Sequence, residues 1–175
     1  MLLVDFMNLF DFAGADALAP RAERAARNTA KLKARAAATG TPCIFINDNF
    51  GEWTRSFDRL VLACIERGGA SARIAALLQP APGDISILKP RHSAFYGTPL
   101  EFLLEELQVA SLIITGVAAD NCVFATAQDA HVRKFSVRVP GDCVAGESPG
   151  IESAALRHME RVLKADVRPR ARTST

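Results

Sequence analysis

The stretch ASLIITGVAADNCVF, residues 110–124, contains an apolar strand, a glycine turn and the start of a helix. We predict that the strand ends at Gly116 and that the helix covers residues 119–133. Cys122 then lies in the first turn of the helix, where unpaired backbone N–H groups and the positive end of the helix dipole favour thiolate over thiol. A lone cysteine is usually a small buried apolar residue, so this inference depends on the position of Cys122.

The same alternation of apolar strand and helix runs through the chain. Short, nearly continuous Val, Ile and Leu strands are typical of a parallel sheet that is buried on both faces. With right-handed crossovers, the pattern predicts an α/β fold with a three-layer doubly wound (Rossmann-like) architecture, in which helices cover both faces of a mostly parallel five- or six-stranded sheet. The predicted strands are 1–4, 43–46, 85–88, 112–115 and 136–139, with a short edge strand at 165–167, and the predicted helices are 21–38, 57–67, 72–78, 99–107, 119–133 and 152–163.

Length and composition indicate one domain. The chain has 175 residues, of which 49% are hydrophobic, enough for one full core and too few for two. We expect the domain to cover residues 1–168 and residues 169–175 to form a basic, disordered tail. The net charge of +2 suggests neither nucleic acid nor a membrane as partner.

The sequence also bears on compartment and cysteine chemistry. No apolar run is long enough to cross a membrane, and Asp5 interrupts the short apolar start, so no signal peptide is indicated and a cytoplasmic location is expected. The four cysteines, Cys43, Cys64, Cys122 and Cys143, have no CxxC spacing, which argues against a zinc site or a disulfide framework.

Three reactive side chains follow apolar strands. Asp5 comes after the first predicted strand, Lys89 after the third and Cys122 after the fourth. Ligands of doubly wound folds bind beyond the carboxyl ends of the strands, so an acid, a base and a thiol there suggest one active site. Taken singly, Asp5 also fits a helix N-cap or loop carboxylate, and Lys89 a surface lysine.

Further residues near these strand ends are candidates for oxyanion, substrate and metal binding. The N–H groups of Ala118 and Cys122 fit an oxyanion hole, although an ordinary βα loop fits this turn equally well. Asn47, Asp48, Asn49 and His92 offer metal-ligating atoms, but no histidine lies near Asp48 in sequence, so we expect no metal and no cofactor. Aromatic and neighbouring side chains are predicted to line a substrate pocket: Phe10, Asn47, Trp53, Phe95, Tyr96 and Val117.

Three segments in this order resemble the isochorismatase-like cysteine hydrolases. They are LLVDFMNLF at residues 2–10, LKPRHSAF at 88–95 and TGVAADNCV at 115–123. The resemblance covers nearly the whole chain and implies an Asp5–Lys89–Cys122 catalytic triad. It also implies a cis peptide between Val117 and Ala118 that orients the oxyanion hole.

The chain departs from the family pattern at several positions. Ala119 stands where the family commonly has Thr, and Leu9 where many members have Asp. Nicotinamidase-like members carry an Asp-x-His metal motif after the second strand, whereas here residues 47–49 are Asn-Asp-Asn without histidine. Cys122 favours acyl transfer, because family members that hydrolyse a vinyl ether can lack the cysteine.

The expected function is therefore hydrolysis of a C–N bond in a small amide or a carbamoyl or ureido compound. Asp5 is expected to take the Cys122 proton, Lys89 to stabilise the thiolate, and Asp5 to act again as base when water hydrolyses the thioester. Two alternatives stay open: an isochorismate-type vinyl-ether hydrolase with Asp5 as acid, and a non-catalytic small-ligand binding module, although the G-x-G-x-x-G fingerprint is absent. The expected partners are a small-molecule substrate and further copies of the chain, as a dimer or tetramer.

Overall fold

The computed structural model describes residues 1–169, so most of the predicted tail, residues 170–175, lies outside the described residues. No helix within residues 1–169 has both the length and the apolar character needed to cross a bilayer. The strands are β1 (Leu2–Val4), β2 (Ile44–Asp48), β3 (Ile85–Lys89), β4 (Ser111–Val117), β5 (Ser136–Arg138) and β6 (Val144–Ala145). The helices are α1 (Ala15–Ala38), α2 (Phe57–Arg67), α3 (Gly69–Leu77), α4 (Leu100–Glu106), α5 (Cys122–Val132) and α6 (Pro149–Leu163).

The strands form one six-stranded sheet in the order β3-β2-β1-β4-β5, and β6 also pairs with β4. All of the strand pairs that the structure describes are parallel. β1 therefore lies in the middle of the sheet, between β2 and β4. The predicted doubly wound α/β fold is confirmed.

Side chains alternate between two hydrophobic cores, one on each face of the sheet. Leu2 and Val4 point into the core that α4, α5 and α6 cover, whereas Leu3 points into the core that α1, α2 and α3 cover. All three side chains are completely buried. Because a parallel sheet buries both faces, the strands lack the polar alternation of a half-exposed sheet.

Serine caps fix the start of two helices. Ser56 accepts a hydrogen bond from the N–H of Arg59 at the start of α2, and Ser148 accepts one from the N–H of Ile151 at the start of α6. Each cap satisfies a backbone donor that has no partner inside its helix.

The structure corrects several predicted elements, and α3 and α6 each begin three residues earlier than predicted. The predicted edge strand at 165–167 is a single bridge from Asp166 to Arg138, and the sixth strand is instead β6. Helix α1 begins at Ala15, ahead of Pro20, which the prediction treated as lying before the helix. Helix α5 begins at Cys122, because the backbone of the preceding residue, Asn121, is not helical, with φ −124° and ψ −99°.

Gly116 allows β1 and β4 to approach each other closely. Its φ is +137°, and a Cβ at this position would lie 2.0 Å from the carbonyl oxygen of Val4, its partner across the two strands. Only glycine fits so tight a contact. This contact places Asp5, the next residue after Val4, beside the turn that leads from β4 to Cys122.

Candidate active site

The structure brings Asp5, Lys89 and Cys122 together at the carboxyl edge of the sheet. Asp5 directly follows β1, Lys89 ends β3, and Cys122 begins α5. Their exposed fractions are 5%, 0% and 8%. We call these three residues the buried cluster.

The Lys89 ammonium is the centre of the buried cluster. Its Nζ lies 2.8 Å from Asp5 Oδ2, 3.5 Å from Cys122 Sγ and 3.5 Å from Asp48 Oδ2. β2 separates β3 from β1, so the long lysine side chain reaches across the end of β2 to meet Asp5. A fully buried ammonium is costly unless it is paired, and these contacts supply the pairing.

The Asp5 carboxylate is held from two sides. Its Oδ1 accepts a 2.6 Å hydrogen bond from the N–H of Asp48, and its Oδ2 faces Lys89. Burial raises the pKa of Asp5 above the ordinary value, and the charge of Lys89 opposes this rise only in part. The side chain also hydrogen-bonds Cys122. Asp5 is therefore a better proton acceptor than an exposed aspartate.

The helix start at Cys122 favours thiolate, but two other effects in the structure favour the neutral thiol, the form from which Asp5 was expected to take the proton. Burial raises the pKa of Cys122, the Asp5 carboxylate raises it further, and Lys89 opposes both effects. The local sequence shows the helix start, whereas the extent to which Cys122 is buried and its distance from the carboxylate depend on the whole fold. For Lys89, burial lowers the pKa, but its attraction to Asp5 and Cys122 outweighs this, so the pKa is raised and the amine stays charged.

The turn between β4 and α5 presents backbone donors beside the thiol. The Val117–Ala118 peptide is cis. The Ala118 carbonyl accepts from the N–H groups of Asn121 and Val123 at 3.1 and 3.2 Å. Within residues 1–169, the N–H groups of Ala118 and Cys122 have no hydrogen-bond partner in the structure. Both residues border the cavity above the thiol.

Two cavities meet at this edge of the sheet. The reaction cavity, as we call the one above Cys122, has a volume of about 360 Å³. A larger outer cavity of about 550 Å³ does not include Cys122. Asp48, Phe50 and His92 line both cavities, which makes them neighbouring parts of one cleft.

Three of the predicted pocket residues line this cleft. Val117 borders the reaction cavity, and Trp53 and Tyr96 border the outer cavity. Trp53 is 79% exposed and Tyr96 62% exposed.

The other three predicted pocket residues line neither cavity, so the structure corrects their placement. Asn47 is completely buried, and its amide donates to the Met7 carbonyl at 2.7 Å, so it fixes the loop after β1. Phe95 is 6% exposed and stacks on Phe135 inside the core. Phe10 is half-buried and packs against the core on the α1 side.

Several cleft residues were missed by the sequence reasoning. His92, which the prediction treated only as a weak metal ligand, has its Nδ1 3.7 Å from Cys122 Sγ. Its position three residues after Lys89 was the available signal. Glu147 follows the unpredicted strand β6, so no sequence signal pointed to it. The reaction cavity is also lined by Asn8, Phe12, Leu18, Phe50 and Asn121.

Two residues that line both cavities, Asp48 and His92, have side chains that can bind a metal ion. The Asp48 carboxylate already faces Lys89 and accepts a 2.6 Å hydrogen bond from the N–H of Phe50. Within residues 1–169, no three His, Cys, Asp or Glu side chains form a group that could hold a metal ion.

The family model of the isochorismatase domain matches residues 1–168. The chain belongs to the isochorismatase family. The resemblance in the three sequence segments is thereby confirmed, and the protein is an isochorismatase-family hydrolase.

Two relatives illustrate the range of similarity. The uncharacterized isochorismatase family protein YaaI of Bacillus subtilis is 38% identical over 167 residues, which cover 95% of this chain and 91% of the relative. Ureidoacrylate amidohydrolase RutB of Methylorubrum extorquens is 40% identical over 85 residues. That match covers 47% of this chain and only 34% of the relative.

Solved structures share the fold over nearly the whole chain. N-carbamoylsarcosine amidase of Thermoplasma acidophilum has a TM-score of 0.71 at 25% identity, with 96% of this chain and 94% of that chain covered. The nicotinamidase of Staphylococcus aureus has a TM-score of 0.74 at 24% identity, with 97% and 96% covered, a similarity that shows the fold alone.

Proposed function

We propose that this protein is a cysteine hydrolase that cleaves the C–N bond of a small amide or of a carbamoyl or ureido compound through a thioester on Cys122. One observation carries the proposal: the buried Lys89 ammonium contacts both the Asp5 carboxylate and the Cys122 sulfur. The names of two similar proteins, a ureidoacrylate amidohydrolase and an N-carbamoylsarcosine amidase, support the substrate class.

Acylation begins with proton transfer inside the buried cluster. Asp5 takes the proton of Cys122, and Lys89 stays charged beside the new thiolate. Carboxylate, ammonium and thiol carry zero net charge together, and so do carboxylic acid, ammonium and thiolate. The transfer therefore creates no net charge in a buried site, which is how a thiol of raised pKa becomes a nucleophile here.

The thiolate then attacks the carbonyl carbon of the substrate and forms a C–S bond. The carbonyl oxygen becomes an oxyanion that accepts hydrogen bonds from the N–H groups of Ala118 and Cys122. When the intermediate collapses, the C–N bond breaks and protonated Asp5 gives its proton to the leaving nitrogen. Ammonia or an amine departs, and the acyl group stays on Cys122 as a thioester.

Water completes the cycle by attacking the thioester carbon. The C–S bond breaks, the acid product leaves, and Cys122 regains a proton. Trp53 and Tyr96 in the outer cavity are the exposed aromatic faces that the non-reacting part of a small planar substrate would contact.

The proposal is tested by a screen for ammonia or amine release from primary amides, ureas and carbamoyl compounds. Wild-type protein is compared with Cys122→Ala, and we expect turnover of at least one compound by the wild type alone. Equal turnover by both proteins would contradict a cysteine hydrolase. The vinyl-ether alternative is tested with isochorismate in a separate assay for pyruvate release, since hydrolysis of a vinyl ether releases no amine and acid catalysis by Asp5 would survive Cys122→Ala.

A further inference from the structure

His92 stands on the open side of the Cys122 thiol. Its Nδ1 lies 3.7 Å from Sγ, and the residue is exposed and lines both the reaction cavity and the outer cavity. Asp5 and Lys89 contact the same sulfur from the buried side. The Cys122 sulfur therefore has both a buried carboxylate and an exposed imidazole as neighbours.

Asp5 is poorly placed for the second half of the reaction. It contributes to the lining of the reaction cavity but is only 5% exposed. Each of its oxygens already accepts a hydrogen bond, Oδ1 from the N–H of Asp48 and Oδ2 from Lys89. The thiol is a direct neighbour of this carboxylate, whereas His92 is exposed and lines both cavities of the cleft.

We infer that His92, in place of Asp5, is the general base that activates water to hydrolyse the thioester. This inference rests on the proposed function and assigns a second proton acceptor to its deacylation half. Within residues 1–169, the Cys122 sulfur is the hydrogen-bond partner that the structure gives the His92 ring.

Protons and electron pairs balance in this step. Neutral His92 accepts a proton from water while the water oxygen forms a bond to the thioester carbon. Collapse of the tetrahedral intermediate breaks the C–S bond and releases the acid, with the electron pair returning to sulfur beside Lys89. The imidazolium then gives its proton to the sulfur, across the contact seen in the structure, and the free thiol is restored.

The test separates the two halves of the reaction in His92→Ala. Rapid mixing with an amide or carbamoyl compound that the wild type hydrolyses follows amine release and acid release separately. We expect a burst of about one equivalent of amine, a steady-state rate that falls roughly 10²-fold, and an acyl-enzyme that accumulates and is visible by intact mass. Added imidazole should restore acid release, because the cleft is open beside residue 92.

Two further variants test whether His92 is the base of deacylation. His131→Ala removes another exposed histidine, at the far end of α5, and should behave like the wild type with and without imidazole. His92→Asn can still hydrogen-bond the sulfur but cannot carry the proton, so it should be as slow as His92→Ala. Wild-type rates in His92→Asn, loss of the amine burst, or failure of imidazole to restore acid release would each overturn the inference. Full activity of Cys122→Ala would instead remove the proposed function itself.

Discussion

The buried cluster and the rim of the cleft are built in different ways. The buried cluster stands on two strand ends and the first turn of a helix, and its members are 8% exposed or less. We define the cleft rim as four residues on the loops after β2 and β3: Phe50, Trp53, His92 and Tyr96. Of these, Phe50, Trp53 and Tyr96 are 45–79% exposed. The sheet edge therefore holds the groups that we propose form the thioester, and the loops hold the groups that we propose contact substrate and water. Changes in the buried cluster should alter the rate of thioester formation, and changes at the rim should alter substrate binding or, at His92, the rate of thioester hydrolysis.

The largest effect is expected at Cys122. Cys122→Ala should lower turnover by roughly 10⁴-fold or more, because no other group can form the thioester. Cys122→Ser should be nearly as slow, since a hydroxyl is far less acidic than a thiol. Both substitutions are small, so the thermal unfolding midpoint should stay within a few degrees of the wild type. Near-normal rates in the serine variant would show that the buried cluster is not the reaction centre.

Asp5→Asn should give the next largest loss. The amide keeps the size of the carboxylate but cannot accept the thiol proton, so the rate of amine release should fall roughly 10²–10⁴-fold. The measurement is single-turnover amine release, which isolates acylation. If Asp5→Asn slowed only acid release, Asp5 would not be the base that accepts the thiol proton during acylation.

Gly116 tests how the sheet supports the buried cluster. Gly116→Ala places a Cβ 2.0 Å from the Val4 carbonyl oxygen and should cost about 3 kcal/mol or more of unfolding free energy. Gly40→Ala is the matched control, since Gly40 also has a positive φ but has no atom within 4 Å of its Cβ position, and it should cost about 1 kcal/mol. Urea denaturation measures both. Equal costs would mean that the approach of β1 to β4 is not tight.

Phe95 and Tyr96 are adjacent in sequence but belong to different regions. Phe95→Ala should destabilise the fold by about 3–4 kcal/mol, because Phe95 is 6% exposed in the core. Tyr96→Ala should change stability by less than about 0.5 kcal/mol but raise KM severalfold with kcat nearly unchanged, as loss of a rim contact does. If Tyr96→Ala destabilised the fold and Phe95→Ala raised KM instead, Tyr96 would belong to the core and Phe95 to the cleft rim.

The smallest expected effect is on the pH dependence of kcat/KM. Asp5 must be ionised to accept the thiol proton, and its pKa is raised by burial, so kcat/KM should fall with acid at a pH above the 3.8 of an ordinary aspartate. Lys89 stays charged in the alkaline range, because its attraction to Asp5 and Cys122 raises its pKa above the ordinary value. The residual activity of Asp5→Asn should lack the acid limb. An acid limb at or below the ordinary value would argue against Asp5 as the base.

The sequence predicted the sheet and the meeting of Asp5, Lys89 and Cys122, because the carboxyl ends of parallel strands lie at one edge. It could not predict which way a loop side chain points. In the sequence, Phe95 and Tyr96 are equally good candidates for the substrate pocket. Only the packing of Phe95 against Phe135 in the structure shows that Phe95 belongs to the core. The raised pKa of the Cys122 thiol was not predicted either, because burial of Cys122 depends on contacts that no local pattern contains.

Trapping the thioester tests the central claim most directly. A compound that the wild type hydrolyses is mixed with His92→Ala, Cys122→Ala and wild-type protein, the reactions are quenched in acid, and intact and peptide masses are recorded. We predict an added acyl group on the peptide that contains Cys122, with amine released in equal amount, and no such adduct in Cys122→Ala. Continued hydrolysis with no adduct on Cys122 in any protein, at times shorter than one turnover, would contradict the thioester mechanism.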